Sequence, residues 1–192
     1  MSVIVIWCRH KGDNVIGIHN RIPWSVPSDM KRFRHLTWGK TILAGRKTYE
    51  TFPNRTLENR RILVLTSDSA YKVADREAHH VIARLEDVQD YAEDIYVVGG
   101  AGVYEAFFKN TQVMPDIVVD SVYNGNINVS TQEKVIDVSA SVKILEEKYF
   151  HLPSVFELDD VETSLWIKKG DFVDQNVIKM ILNYLENERT LP

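Results

Sequence analysis

Ile95-Tyr96-Val97-Val98-Gly99-Gly100-Ala101-Gly102-Val103-Tyr104 runs an apolar stretch into paired glycines and on into a second apolar stretch. Four apolar residues, three of them β-branched, read as a buried strand. The glycines stop it, and Ala101 to Phe108 then reads as a helix. The same grammar stands earlier in the chain. Thr41-Ile42-Leu43-Ala44 is a short strand, Gly45 ends it, and Arg46 to Phe52 reads as a short helix. Neither glycine cluster matches the usual G-x-G-x-x-G fingerprint, and one alone is weak evidence. Two strand–glycine–helix edges in one sheet are stronger, because together they grip two ends of one dinucleotide.

Outward from these edges, Val3-Ile4-Val5-Ile6-Trp7-Cys8 and Arg61-Ile62-Leu63-Val64-Leu65-Thr66 are continuous apolar strands, buried on both faces as in a mostly parallel sheet. Ile117-Val118-Val119 is another strand. Pro23 and Pro27 shape a long loop around Trp24. Ser28 is the expected N-cap of the next helix, with Asp29 in its first turn and Met30, Phe33 and Leu36 along one face. Residues 67 to 80 read as loop, and Leu85 to Tyr91 as a helix. Val142 to Phe150 and Thr163 to Lys168 are expected as a closing antiparallel pair. The alternation argues for an α/β fold. Residues 171 to 192 differ in character. Val173, Val177, Ile178, Ile181, Leu182 and Leu185 follow a helical stripe that Asp171 or Asp174 would cap. The division is therefore a domain over 1–170 and a helical extension over 171–192. The extension is expected to dock on its own domain, with a dimer contact as the sharper alternative.

The chain has 192 residues, 44% apolar and 26% charged, with a net charge of −4. Such apolar content excludes wholesale disorder, and the acidic balance argues against coating nucleic acid. The longest apolar run is six residues, against the ~20 of a membrane helix. The single cysteine, Cys8, has no internal disulfide partner and fits a reducing, cytoplasmic setting. The six histidines show no metal-ligand spacing, so no metal is expected.

Gly45-Arg46-Lys47-Thr48 offers a close backbone approach, two cations and a hydroxyl, a sound phosphate cradle. Alone it is more commonly a plain turn with solvated basic residues. Asp29 is either a dipole-favourable surface carboxylate or, facing a pocket, a partner for a protonatable heterocycle. Arg60 offers a planar fork for a carboxylate.

Taken in order, Val15-Ile16-Gly17, Ile22-Pro23-Trp24, Pro27-Ser28-Asp29-Met30, Phe33, Gly45 through Pro53, Leu57 with Arg60, and Val98-Gly99-Gly100 through Tyr104-Glu105 resemble dihydrofolate reductase. The match is close over 3–66 and 94–108 and loose from 116 to about 169. The resemblance implies an eight-stranded, mainly parallel sheet with an antiparallel C-terminal strand. It also implies NADPH-dependent reduction of 7,8-dihydrofolate, a small-molecule substrate, by a chain expected to be monomeric. Asp29 would be the pterin-site acid, with Trp24 the second catalytic position. Ile6 and Cys8 would lie beside the pterin, and Met30 and Phe33 would sandwich it. Arg60 would clamp the glutamate carboxylate, with Leu57 and Arg34 nearby. For the cofactor, Cys8, Val15, Ile16, Gly17, Gly45, Arg46, Lys47, Thr48, Leu65, Thr66, Ser67, Val98, Gly99, Gly100, Ala101, Gly102, Val103 and Tyr104 match. Gly99-Gly100 matches a pair joined by a cis peptide, and Val15 to Trp24 a loop that closes over the nicotinamide.

Three departures stand out. Where the family carries a Thr or Ser that bridges the acid and the pterin, direct alignment places Asp120, and a one-residue shift places Ser121. The shift is preferred, because a buried unpaired charge is costly. Asn128 to Thr131 stands in for a missing Gly-Asp-Thr element, and Gly102 replaces a basic residue. Two other readings remain. One is the pyrimidine reductase of riboflavin synthesis, against which Trp24, Asp29 and Arg60 argue. The other is a non-catalytic module that keeps the fold.

Overall fold

The computed structural model describes residues 1–19, 21–73, 79–127, 134–170 and 173–187. The elements run in chain order as β1 (Val3–His10), β2 (Val15–Ile18), α1 (Pro27–Thr37), β3 (Thr41–Gly45), α2 (Arg46–Tyr49), β4 (Arg61–Leu65), β5 (His79–Ile82), β6 (Ile95–Val97), α3 (Ala101–Lys109), β7 (Ile117–Tyr123), β8 (Val135–Asp137), α4 (Ser139–Lys148), β9 (Tyr149–Leu158), β10 (Val161–Lys168) and α5 (Gln175–Asn187). Short 3-10 turns lie at Pro53–Arg55 and Leu85–Asp90.

Eight strands form one sheet in the order β5-β4-β3-β6-β1-β7-β10-β9. The pairs from β5 to β7 are parallel, and β10 runs antiparallel to both its neighbours. This is the expected fold class. The sheet is buried on both faces, which explains the continuous apolar runs. Val3, Val5, Trp7, Leu43, Leu63, Val97 and Val118 join one core with residues of α3 and α4. Ile4, Ile6, Ile42, Ile62, Val64, Ile117 and Val119 join the other with residues of α1 and α5. β2 and β8 form a separate antiparallel pair.

Some elements differ from the sequence expectation. Residues 142–148 belong to α4 instead of a strand, because Val142 and Leu145 fall on one helical face and bury in the first core. The antiparallel partner of β10 begins at Tyr149. His79–Ile82 within and beyond the expected loop is the edge strand β5, paired with β4. β7 continues to Tyr123. Ser28 is not the cap of α1. Val26 holds that position and Pro27 the first turn, where its fixed φ suits the helix. The stand-in element at 128–131 and the capping candidate Asp171 lie outside the described residues. Asp174 does cap α5, its side chain accepting from the Asn176 N–H at 2.8 Å.

α5 packs on α1 and β9, and buries Val177, Ile178, Ile181 and Leu185 in the second core. No described helix is long and apolar enough to cross a membrane.

Candidate functional site

The two glycine edges meet. β3 and β6 are parallel neighbours, so Gly45 and Gly99 end their strands side by side. The Gly45 N–H donates to the Gly99 carbonyl at 2.7 Å. A Cβ on Gly45 would stand 2.8 Å from Val103 Cγ2, and one on Gly100 would stand 3.1 Å from Thr48 Oγ1. Gly99 has φ +115°, and the Gly99–Gly100 peptide is cis. Such contacts leave little room for side chains where α2 and α3 pack on the carboxyl end of the parallel strands. That edge is where open α/β sheets bind ligands.

The polar groups expected around this edge are present there. Arg46 pairs with Glu50 at 3.2 Å and lies 5.8 Å over the Tyr71 ring, Lys47 is exposed, and Thr48 is half-buried. Leu65 and Thr66 are half-buried at the end of β4, with Ser67 exposed beyond. Val98, Ala101 and Val103 are half-buried, and Gly102 is exposed. Tyr104 is buried, and its hydroxyl donates to the Ile6 carbonyl at 2.8 Å. That bond ties α3 to the middle of β1. Its burial, and then the Asp29 charge, push the phenol far up from its ordinary value.

Asp29 sits in the first turn of α1, its side chain 17% exposed. Cys8, half-buried on β1, faces the same region. Burial first, then the Asp29 charge, push its thiol up, while Arg32 and a hydrogen bond with Trp24 act against them. Trp24 stacks on Tyr123 with centroids 5.2 Å apart, fastening the loop after β2 to the end of β7. In β2, Val15 and Gly17 are buried and Ile16 packs on the first core. Ile6 is buried, Phe33 and Leu57 are half-buried, and Met30 is exposed.

Arg60 is held rigidly. Its guanidinium donates to the Glu58 and Arg34 carbonyls, each at 2.6 Å, and to Thr37 Oγ1 at 3.2 Å, and it lies 5.0 Å over the Trp38 ring. Burial and then the neighbouring Arg34 lower its pKa from the ordinary value. Arg34 itself has an exposed side chain.

Asp120 is not grouped with these residues. It faces the first core, where its carboxylate accepts from Trp7 Nε1 at 2.7 Å, Trp166 Nε1 at 3.1 Å, and both Nε and Nη2 of Arg9, at 2.9 and 2.8 Å. The next residue, Ser121, faces α1, because successive strand residues alternate sides. Its hydroxyl is 3.1 Å from Thr163 Oγ1 and accepts from Arg32 at 3.4 Å. The register of β7 thus turns Ser121, and not Asp120, toward α1.

Two residues of this arrangement escaped the sequence reading. Arg32 lies three residues beyond Asp29, and i, i+3 spacing on a helix was the signal that would have found it. Arg9 is 111 residues from Asp120, and no spacing signals that pair. Among the described residues no three His, Cys, Asp or Glu side chains group as a metal site.

The dihydrofolate reductase family profile matches residues 2–147. Dihydrofolate reductase of Enterococcus faecium is 30% identical over 154 residues, 77% of this chain and 92% of that protein. The Staphylococcus aureus enzyme is 33% identical over 126 residues, 66% of this chain and 75% of that protein. The fold is similar to that of dihydrofolate reductase from Enterococcus faecalis complexed with NADP(H) and RAB-propyl. There the TM-score is 0.64 at 24% identity, covering 88% of this chain and 96% of that one. With the profile spanning most of the chain, and a curated relative 30% identical over most of both proteins, the chain is a member of the dihydrofolate reductase family.

Proposed function

We propose that this protein is an NADPH-dependent dihydrofolate reductase that converts 7,8-dihydrofolate to 5,6,7,8-tetrahydrofolate, in one-carbon and thymidylate metabolism. The observation that carries the reading is the half-sheltered Asp29 carboxylate next to Cys8 of β1, on the strand that adjoins the glycine edge.

In this reading Asp29 accepts hydrogen bonds from the pterin N3 and 2-amino group and promotes N5 protonation through the pterin and water. Ile6, Cys8, Met30 and Phe33 bound the ring. Arg60, pre-positioned by its bonds to backbone carbonyls, presents its remaining capacity to the glutamate carboxylate, beside Leu57 and Arg34. Ser121 takes the bridging position. Val15 to Gly17 and the loop through Trp24 exclude water from the reacting atoms.

The glycine edge is taken as the dinucleotide site, since it stands at the carboxyl end of parallel strands and is followed by the N-terminus of α3. Arg46, Lys47 and Thr48 would hold its phosphates, and Thr66 and Ser67 the 2′-phosphate. NADPH, when bound, supplies the hydride that reaches pterin C6. The NADP(H) in the Enterococcus faecalis complex supports this choice. The reading also has a domain over 1–170 and a C-terminal extension over 171–192 that carries α5. We take the chain as a cytoplasmic monomer, consistent with its single cysteine and with the apolar stripe of α5 being buried on its own chain.

The test is the loss of nicotinamide absorbance when purified protein meets NADPH and dihydrofolate, with Asp29→Asn alongside. Rapid oxidation by the parent and a severe loss in the variant are expected. A folded parent that oxidises nothing would overturn the assignment.

A further inference from the structure

We propose that Arg32 is a positioning residue for Asp29: its buried guanidinium keeps the carboxylate ionised and fixes it to the sheet through Ser121. The part that concerns turnover rests on the proposed function above.

Arg32 is only 2% exposed, though it belongs to a charge type that almost never buries without a partner. Its Nη1 is 3.5 Å from Asp29 Oδ1 and donates to Ser121 Oγ at 3.4 Å. Ser121 is hydrogen-bonded in turn to Thr163 of β10. The guanidinium lies 4.6 Å over the Phe156 ring of β9. One side chain of α1 thereby contacts β7 and β9, reaches β10 through Ser121, and lies against the carboxylate one turn upstream. An exposed i, i+3 pair would do little. Here water is excluded around the cation, so the attraction is less screened.

Among the described residues, Cys8 and Tyr104 also interact with Asp29. Cys8 from β1 and Tyr104 from α3 stay protonated, because burial pushes both up. Asp120 of β7 influences Cys8 but is neutralised by Arg9 on the opposite face. Arg32 is a cation that faces the carboxylate at 3.5 Å. An opposite charge at this distance favours the ionised form, in opposition to burial. A carboxylate that must take up or relay a proton then does so at lower pH than it would without Arg32. Activity that depends on its protonation falls off at correspondingly lower pH.

The experiment is a carbon-13 carboxylate titration of Asp29 in the full, ligand-free chain, with the resonance assigned from Asp29→Asn. Parent, Arg32→Gln and Arg32→Lys are compared, each checked for folding by circular dichroism. The midpoint is expected to rise by about 1 pH unit or more in Arg32→Gln. In Arg32→Lys, which keeps the charge, it is expected closer to the parent. The pH at which turnover of NADPH and dihydrofolate halves should move the same way. A folded Arg32→Gln protein with an unmoved midpoint overturns the proposal. Should that variant not fold, the parent alone decides. A midpoint above the ordinary aspartate value of about 3.9 overturns the proposal, and one at or below it supports it. Absence of turnover in all proteins, with the titration difference intact, counts against the functional reading and leaves the hold of Arg32 on Asp29 standing.

Discussion

The Gly45 N–H and the Gly99 carbonyl, 54 residues apart in sequence, are joined at 2.7 Å where two parallel strands end. That bond locks the two glycine edges into one surface. Gly45→Ala would drive its Cβ to 2.8 Å from Val103 Cγ2. Val103 and the start of α3 must shift to relieve the clash, at a cost of about 1–3 kcal/mol. The expected outcome is a lower denaturant midpoint and an NADPH dissociation constant raised at least about tenfold, read by nicotinamide fluorescence. Unchanged affinity would separate this edge from cofactor binding.

Arg60→Lys removes the planar fork while keeping the charge. Lysine cannot satisfy the Glu58 and Arg34 carbonyls and a substrate carboxylate together. A charge-assisted bond contributes roughly 1.5–3 kcal/mol. The KM for dihydrofolate should therefore rise about 10- to 100-fold with a smaller change in kcat, and NADPH affinity should hold. Steady-state kinetics check the split.

Asp120→Thr tests the opposite face. The substitution strands Arg9, only 14% exposed, and leaves two indole N–H groups without their acceptor. Breaking a buried pair from one side costs about 3–5 kcal/mol. The loss should appear in urea unfolding. The pH profile of the surviving folded enzyme should stay close to the parent's, since Asp120 does not face Asp29. A displaced profile without loss of stability would contradict this placement.

Alkaline stability follows from three buried tyrosines. Burial raises the phenols of Tyr96, Tyr104 and Tyr149 above their ordinary value. The folded chain keeps these protons while the unfolded chain loses them above about pH 10. Stability is thus full below that pH and falls as pH rises, by up to about 1.4 kcal/mol per unit for each group. Tyr96 is the informative one, because its buried hydroxyl has no hydrogen-bond partner among the described residues. Tyr96→Phe should be neutral or stabilising by about 1 kcal/mol at pH 7 and should flatten the alkaline decline. Thermal melts from pH 7 to 11 measure both effects.

Ile181 and Leu185 of α5 are fully buried in the second core. Ile181→Ala should cost about 2–5 kcal/mol. Molar mass in solution should be the same with and without the substitution. A mass that fell with it would reveal self-association through this helix.

The parts of the fold that were legible share one physical basis. β1, β3, β4 and β6 are strands buried on both faces, so almost every residue in them is apolar and local composition suffices. The glycines at 45, 99 and 100 were legible because backbone that must approach other groups tolerates no side chain. α4 was misread because Val142 to Phe150 mixes apolar and charged residues in a way that suits either period. Packing against α3 and β9 settled it as a helix. β5 was missed because only half of His79–Ile82 is buried.

The site divides in the same way. By itself the sequence determined the strand–glycine–helix edges, the acidic first turn of α1 at Asp29 and the family to which these belong. These depend on residues near one another in the chain. Tertiary structure alone decided that Ser121 and not Asp120 faces α1, that Arg9 neutralises Asp120, and that Arg32 turns inward to Asp29. A strand's sidedness alternates every residue, so one step of register exchanges the two faces. Register is fixed by pairing with β1 and β10, not by the residues of β7 themselves.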